Sequence, residues 1–139
     1  MGKRRTWWPH KLEKAETHVT PLAVPTLFQN RWLAITPIHG GTTVDVPEGY
    51  AYDGATLVPT LHGMRLATAF HDSIYQFAEE IAAAWGWTVR QVLAFGDEIF
   101  YERMIQDGAN RCAAWVYYRA VRGGGYRFHQ MARWFKGKT

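Results

Sequence analysis

At 139 residues and 16.0 kDa the chain fits one domain, and its 47% hydrophobic content is enough for a buried core. The formal net charge is +4, and no acidic residue follows Asp107. The single cysteine, Cys112, excludes an intrachain disulfide and a thiolate zinc cluster, and its apolar surroundings predict a buried thiol. No apolar run reaches the roughly 18–20 residues of a membrane span, and the N-terminus lacks the apolar core of a signal peptide.

The first 60 residues have the pattern of strands and turns. Residues 31–38 and 42–46 are separated by Gly40 and Gly41, which predicts a β-hairpin. A segment from 18 to 24 is expected to add a third strand at the sheet edge, because it contains Pro21 and is followed by Pro25. Residues 1–17 are interpreted as a basic, aromatic arm.

The second half predicts helices. Apolar residues recur at helical spacing from 64 to 84, and Gly86 ends that helix. Thr88 and Gln91 form a capping box for a second helix that runs to about 106. A third helix covers 110–121 and is expected to break at the glycines 123–125, before a basic aromatic tail over 123–139.

The predicted fold class is therefore α+β. A small N-terminal antiparallel hairpin or sheet precedes three packed α-helices, and the domain covers residues 18–122.

Two ionisable residues lie on otherwise apolar helix faces. His71 shares a face with Ala67 and Ile74, and Asp97 shares one with Leu93 and Phe100. An isolated buried charge is very costly, so Asp97 is expected to meet His71 or a neighbour across two packed helices. Asp72 points about 100° away from His71 around the same helix, while Tyr75, one turn later, places its hydroxyl beside the imidazole.

Two interpretations of this polar set remain open. His71, Asp72 and Asp97, with Asp53 from the preceding loop, are suitable ligands for a divalent metal, the one cofactor that the residues suggest. His71, Asp72, Asp97 and Tyr75 would equally serve as a catalytic acid/base group. Alternatively, a buried Asp-His-Tyr network fixes the register of two helices without any catalytic role.

Both ends of the chain are candidates for partner binding. Basic residues beside aromatic ones are typical of surfaces that bind nucleic acid or acidic proteins. Solvated tails are the simpler alternative. The predicted partner-binding residues are Lys3, Arg4, Arg5, Trp7, Trp8, Arg122, Arg127, Arg133 and Trp134.

Three segments in order resemble a family of small tailed-phage and prophage proteins, a domain of unknown function. They are Val46-Pro47-Glu48-Gly49-Tyr50 continued by Tyr52-Asp53-Gly54-Ala55-Thr56, then Ala69-Phe70-His71-Asp72-Ser73-Ile74-Tyr75, then Asp97-Glu98-Ile99-Phe100. The family pattern is Val-Pro-x-Gly-Phe-x-Thr-Asp-x-Ala-Ser-x-Pro, His-Asp-x-x-Tyr and Asp-x-x-Phe, and the resemblance spans residues 44–125. Tyr50 and Thr56 depart from its phenylalanine and serine, and Pro59 falls one residue later than in the family.

The resemblance implies a phage origin and a shared fold, and it assigns no activity. It favours a virion or assembly component that contacts other phage proteins or its own copies, in the host cytoplasm or the assembled virion. A small metal-dependent hydrolase using Asp53, His71, Asp72 and Asp97 is the alternative. A nucleic-acid-binding accessory protein is the third hypothesis.

Overall fold

The computed structural model describes residues 10–52 and 64–138, with the side chains of 11–52 and 64–124. Antiparallel strands fill the first part and helices the second, so the predicted α+β class is confirmed. Within these ranges there is no helix with the length and apolar character needed to cross a membrane.

Six strands form two antiparallel sheets. Four of them make one sheet in the order β2-β5-β4-β3, and β1 pairs with β6 separately. The strands are β1 (His10–Lys11), β2 (Glu16–Thr20), β3 (Phe28–Gln29), β4 (Ala34–Ile38), β5 (Gly41–Val46) and β6 (Ala51–Tyr52).

The β4–β5 hairpin confirms the predicted pairing. The predicted third strand over 18–24 lies at the sheet edge as expected, but it covers Glu16–Thr20 as β2 and ends before Pro21, which has no N–H to donate. Gly40 has a φ of +82°, which a turn between strands accommodates most easily with glycine. Gly41 begins β5, and a Cβ there would lie 2.1 Å from the Thr20 carbonyl oxygen. The strands β1, β3 and β6 were not predicted, because two residues are too short to show alternation.

Four helices follow, namely α1 (Arg65–Gln76), α2 (Ala78–Trp85), α3 (Val89–Gln106) and α4 (Arg111–Lys138). The predicted capping box is confirmed at α3. Thr88 Oγ1 accepts a hydrogen bond from the Gln91 backbone N–H at 3.1 Å, and Gln91 Oε1 accepts one from the Thr88 N–H at 2.8 Å. Gly86 ends α2 in the left-handed conformation, as expected.

The predicted helix over 64–84 is divided at Phe77, whose ψ of 20° is outside the helical range. Ser73 Oγ donates to the Phe70 carbonyl one turn earlier at 2.9 Å, and such back-bonding bends helices.

The predicted break at the glycines 123–125 is wrong, because α4 continues through them to Lys138. Each glycine costs a helix only about 1 kcal/mol relative to alanine, whereas a break leaves several backbone groups without partners at each new end.

The core has two parts. The larger lies between the four-stranded sheet and helices α1–α3, with Ile35, Val44 and Ile74 fully buried. The smaller lies between α1, α3 and the start of α4, where Phe100 and Ala114 meet. Cys112 lies on the exposed side of α4, which corrects the prediction of a buried thiol, since the apolar run around it covers more than one helix face.

Candidate functional site

Asp97 of α3 is the centre of a buried polar cluster. Its side chain is 1% exposed. One carboxylate oxygen, Oδ1, lies 2.8 Å from His71 Nε2 and accepts the Tyr75 hydroxyl at 2.8 Å. The other, Oδ2, accepts Arg122 Nη1 at 3.0 Å. The prediction that Asp97 meets His71 is confirmed.

His71 is held between two carboxylates. Its Nε2 faces Asp97, and its Nδ1 lies 3.7 Å from Asp72 Oδ1, a contact that is an ion pair rather than a hydrogen bond. Burial alone would lower the pKa of His71, but the two carboxylates outweigh burial and raise the pKa to about 9. At neutral pH the ring is therefore an imidazolium with a proton on each nitrogen.

Tyr75 completes the α1 side of the cluster. Its ring lies 4.1 Å from the His71 ring between centroids, and its hydroxyl donates to Asp97 Oδ1, the same oxygen that faces His71 Nε2. Burial, followed by the Asp97 charge and hydrogen bond, raises the pKa of Tyr75 above its usual range. The hydroxyl therefore remains protonated and acts as a fixed donor.

Arg122 brings the second positive charge from α4, and its side chain is 40% exposed. Asp72 and Asp97 are thereby matched by the His71 imidazolium and the Arg122 guanidinium, so the cluster is electrically balanced. We refer to these four residues, with Tyr75, as the Asp97 cluster.

Arg122 was predicted to bind a partner, and its contact with Asp97 was not predicted. A signal was available, because an aspartate on an apolar face needs more donors than one histidine supplies.

Gly96 allows α1 and α3 to approach closely beside the cluster. A Cβ at Gly96 would lie 3.0 Å from Ile74 Cγ2 and 3.5 Å from Tyr75 Cδ1. A Cβ there would require Ile74 to shift by a few tenths of an ångström, whereas its distance from Tyr75 is an ordinary van der Waals contact, so the glycine allows the close approach of the two helices.

A second buried polar group was not predicted. His18 Nε2 of β2 lies 2.9 Å from Glu102 Oε1 of α3, and Thr20 Oγ1 donates to Glu102 Oε2 at 3.1 Å. Arg103 donates to the Thr17 carbonyl at 2.9 Å and pairs with Asp107. The inward positions of His18 and Thr20 on alternate strand residues were the available signal.

The second histidine differs from the first. His18 is 1% exposed, and its Nδ1 has no hydrogen-bond partner among the described residues. Its contact with Glu102 is made through Nε2 alone. His71, in contrast, has a carboxylate at each nitrogen.

The predicted metal ligands do not converge in the described part of the chain. Within it, no three His, Cys, Asp or Glu side chains are grouped to hold a metal ion. Asp72 and Asp97 face different nitrogens of His71, on opposite sides of the ring, so the imidazole separates the two carboxylates. Asp53 lies outside the described residues, and its role stays a prediction.

Most of the predicted partner-binding residues also stay untested. Lys3, Arg4, Arg5, Trp7 and Trp8 lie outside the described residues. Arg127, Arg133 and Trp134 belong to α4, and their side chains are not described.

A shallow apolar groove of about 310 Å³ lies apart from the Asp97 cluster, between α3 and the segment after β2. Its lining residues are Leu22, Ala23, Trp87, Gln91, Ala94, Phe95 and Glu98. Glu98 accepts the Tyr118 hydroxyl at the end of this groove, and this bond raises the pKa of Tyr118 to about 12.

Comparisons of the chain with protein-family models, curated proteins and solved structures found no match. The resemblance to the phage family stays a prediction.

Proposed function

We propose that this chain is a phage-encoded virion or assembly component that acts by protein–protein contact. The observation that carries the proposal is the state of Asp97. Its side chain is 1% exposed and its two oxygens already engage His71, Tyr75 and Arg122. A carboxylate in this state links α1, α3 and α4 through hydrogen bonds, and a substrate would have to displace one of its partners.

The protonation of His71 supports the same role. A general base must have a free nitrogen near neutral pH. The raised pKa of about 9 keeps both nitrogens of His71 protonated, with a carboxylate beside each. The ring therefore serves as a positive charge between Asp72 and Asp97. The phage resemblance over residues 44–125 supports the assembly context.

The test is the fate of particles made by the phage or prophage that encodes the chain. Particles and assembly intermediates are separated on a density gradient, and the chain is quantified in each fraction by mass spectrometry. We expect the chain to co-sediment at a fixed stoichiometry and its deletion to leave incomplete particles. Normal particles from the deletion would overturn the proposal.

A His71→Gln variant separates assembly from catalysis, because its amide nitrogen still donates to Asp97. We expect a folded His71→Gln chain to restore particle formation in the deletion background. Tyr75→Phe is the matched variant, since it removes one donor and keeps the ring. A folded His71→Gln chain that fails while Tyr75→Phe succeeds would favour chemistry at His71.

Metal analysis tests the hydrolase alternative directly. Wild-type protein and His71→Ala are compared by mass spectrometry for bound divalent metal. Stoichiometric metal that is lost in a folded His71→Ala variant would support the hydrolase with Asp53, His71, Asp72 and Asp97 as ligands.

A further inference from the structure

Helix α4 carries charge of one sign along its whole length. It has 28 residues, which corresponds to about 42 Å. It contains no acidic residue and seven basic ones, namely Arg111, Arg119, Arg122, Arg127, Arg133, Lys136 and Lys138. A helix of this length whose charged residues are all positive is complementary to a polyanion.

Cations and aromatic rings follow one face of this helix. Arg111, Trp115, Tyr118 and Arg122 are separated by four, three and four residues, the spacing that places side chains on one side of a helix. The sequence continues the same spacing with Tyr126, His129, Arg133 and Lys136. Leucine and isoleucine, the usual residues of a helix–helix seam, are absent from these eight positions.

The described part of this face carries one exposed ring beside two partly buried ones. Trp115 is 50% exposed, whereas Tyr101 and Tyr118 are partly buried. The Trp115 ring centroid lies 5.6 Å from that of Tyr118 and 6.4 Å from that of Tyr101 of α3. The Arg119 guanidinium lies 5.7 Å from the Trp115 ring centroid, and Arg111 is exposed one turn earlier. We call Tyr101, Arg111, Trp115, Tyr118 and Arg119 the α4 platform.

We propose that the α4 platform binds single-stranded nucleic acid, with Arg111 and Arg119 at phosphates and Trp115 stacked on a base. Single-strand binding surfaces combine a row of cations with aromatic rings, because every unpaired base offers a face for stacking. A duplex keeps its base faces inside the helix and would use only the charge of the platform. This inference goes beyond the proposed function and does not depend on it.

Arginine and aromatic residues are also enriched at protein–protein interfaces, so an acidic protein surface is the other occupant, and the test below distinguishes it. A second copy of this chain is disfavoured by its charge. A second copy that docked through its own α4 would bring the arginines of the two helices together, and like charges repel.

The test is fluorescence anisotropy of a labelled 20-nucleotide oligothymidylate titrated with the full chain at 50 and 200 mM salt. We expect saturable binding that Trp115→Ala weakens by about 5- to 100-fold. Trp115→Phe retains most of the affinity, because a ring remains. Arg119→Gln should weaken binding and reduce the slope of log K against log salt by about 0.7.

Arg31→Gln is the matched control. The Arg31 guanidinium lies over the Trp32 ring at 4.8 Å, the same kind of contact as that of Arg119 with Trp115, but it lies between β3 and β4. This variant should bind like the wild type, and an equal loss in Arg31→Gln and Arg119→Gln would show that net charge alone acts.

Three further results would overturn the proposal. One is the absence of saturable binding at 50 mM salt. Another is equal binding of polyglutamate with no effect of Trp115→Ala, which would indicate an acidic protein as the partner. The third is equal affinity for a duplex of the same length with no effect of Trp115→Ala.

Discussion

Two of the neighbours of helix α3, α1 and α4, differ in character. On its α1 side, Gly96 and Asp97 contact buried residues, and the ionisable groups there satisfy one another. On its α4 side, Arg122 reaches inward to Asp97, but Trp115 and Arg119 remain at the surface. The same residue types therefore stabilise the fold on one side and are available to a partner on the other.

Two arginines three residues apart illustrate the difference. Arg122 donates to an aspartate that is 1% exposed, whereas Arg119 lies over the exposed Trp115 ring. Removal of one member of a buried ion pair typically costs about 3–5 kcal/mol, while a cation–π contact at an exposed site contributes about 0.5–1 kcal/mol. The burial of the partner side chain therefore determines how much each arginine contributes to the free energy of unfolding.

The largest expected effect is that of Asp97→Asn. The substitution leaves the His71 imidazolium and the Arg122 guanidinium without their shared carboxylate, so we expect the free energy of unfolding to fall by about 3–5 kcal/mol. Urea denaturation followed by circular dichroism measures the loss.

Glu102→Gln is the matched control on the same helix. Glu102 also contacts a buried histidine, His18, but its side chain is 25% exposed and its amide counterpart can still accept a hydrogen bond. We expect a loss of about 1 kcal/mol. Equal losses at Asp97 and Glu102 would contradict the central position of the Asp97 cluster.

The second effect is a dependence of stability on pH. His71 has a pKa of about 9 in the folded protein against an ordinary value of 6.5. Between these values the folded chain keeps a proton that the unfolded chain releases, so stability falls as pH rises. The stabilisation is complete below pH 6.5, and by pH 9 on the order of 3 kcal/mol is lost.

His71→Gln tests the origin of this pH dependence. It removes the titrating ring while Asp72, Asp97, Tyr75 and Arg122 remain. We expect a flatter stability profile between pH 6.5 and 9, and NMR titration of the wild-type imidazole should report the raised pKa. An unchanged slope in His71→Gln would assign the dependence to another group.

The sequence was sufficient for features that depend on local pattern or on the cost of a buried charge. The β4–β5 hairpin follows from its turn, the start of α3 from Thr88 and Gln91, and the contact between Asp97 and His71 from two polar residues on apolar faces. The first two are specified within a short segment. The third is specified because a buried carboxylate needs a hydrogen-bond donor or a positive charge, and few nearby residues can supply one.

Features set by the relative placement of helices were not predictable. The Tyr75 hydroxyl reaches Asp97 because α1 and α3 approach closely at Gly96, and Arg122 reaches it because α4 crosses α3 at that level. The pairing of His18 with Glu102 depends on how β2 lies over α3. The continuity of α4 was not predictable from the low helix propensity of three glycines, because that propensity does not include the cost of unpaired backbone groups at new helix ends.

The third effect tests the α1–α3 approach. A Cβ at Gly96 would lie 3.0 Å from Ile74 Cγ2, and Ile74 is fully buried and has little room to move. Overpacking costs about 1–3 kcal/mol, and the gain in helix propensity offsets about 1 kcal/mol of it. We expect Gly96→Ala to lower the free energy of unfolding by about 1 kcal/mol in thermal or urea denaturation. An increase in stability would mean that the two helices are less tightly apposed.

The smallest effect, of opposite sign, is expected for a glycine-to-alanine substitution in α4, the other helix that packs on α3. Gly123 lies within α4, has no positive φ and would place its Cβ in open space. Gly123→Ala should therefore raise the free energy of unfolding by about 0.5–1 kcal/mol, because alanine loses less conformational entropy in a helix. Urea denaturation of Gly96→Ala and Gly123→Ala under the same conditions compares the two positions directly.

A destabilised Gly123→Ala variant would indicate that the helix requires flexibility there or that its outer face is covered in solution. Opposite signs at the two glycines would indicate that Gly96 lies at a close-packed contact between α1 and α3, whereas Gly123 lies on an open side of α4.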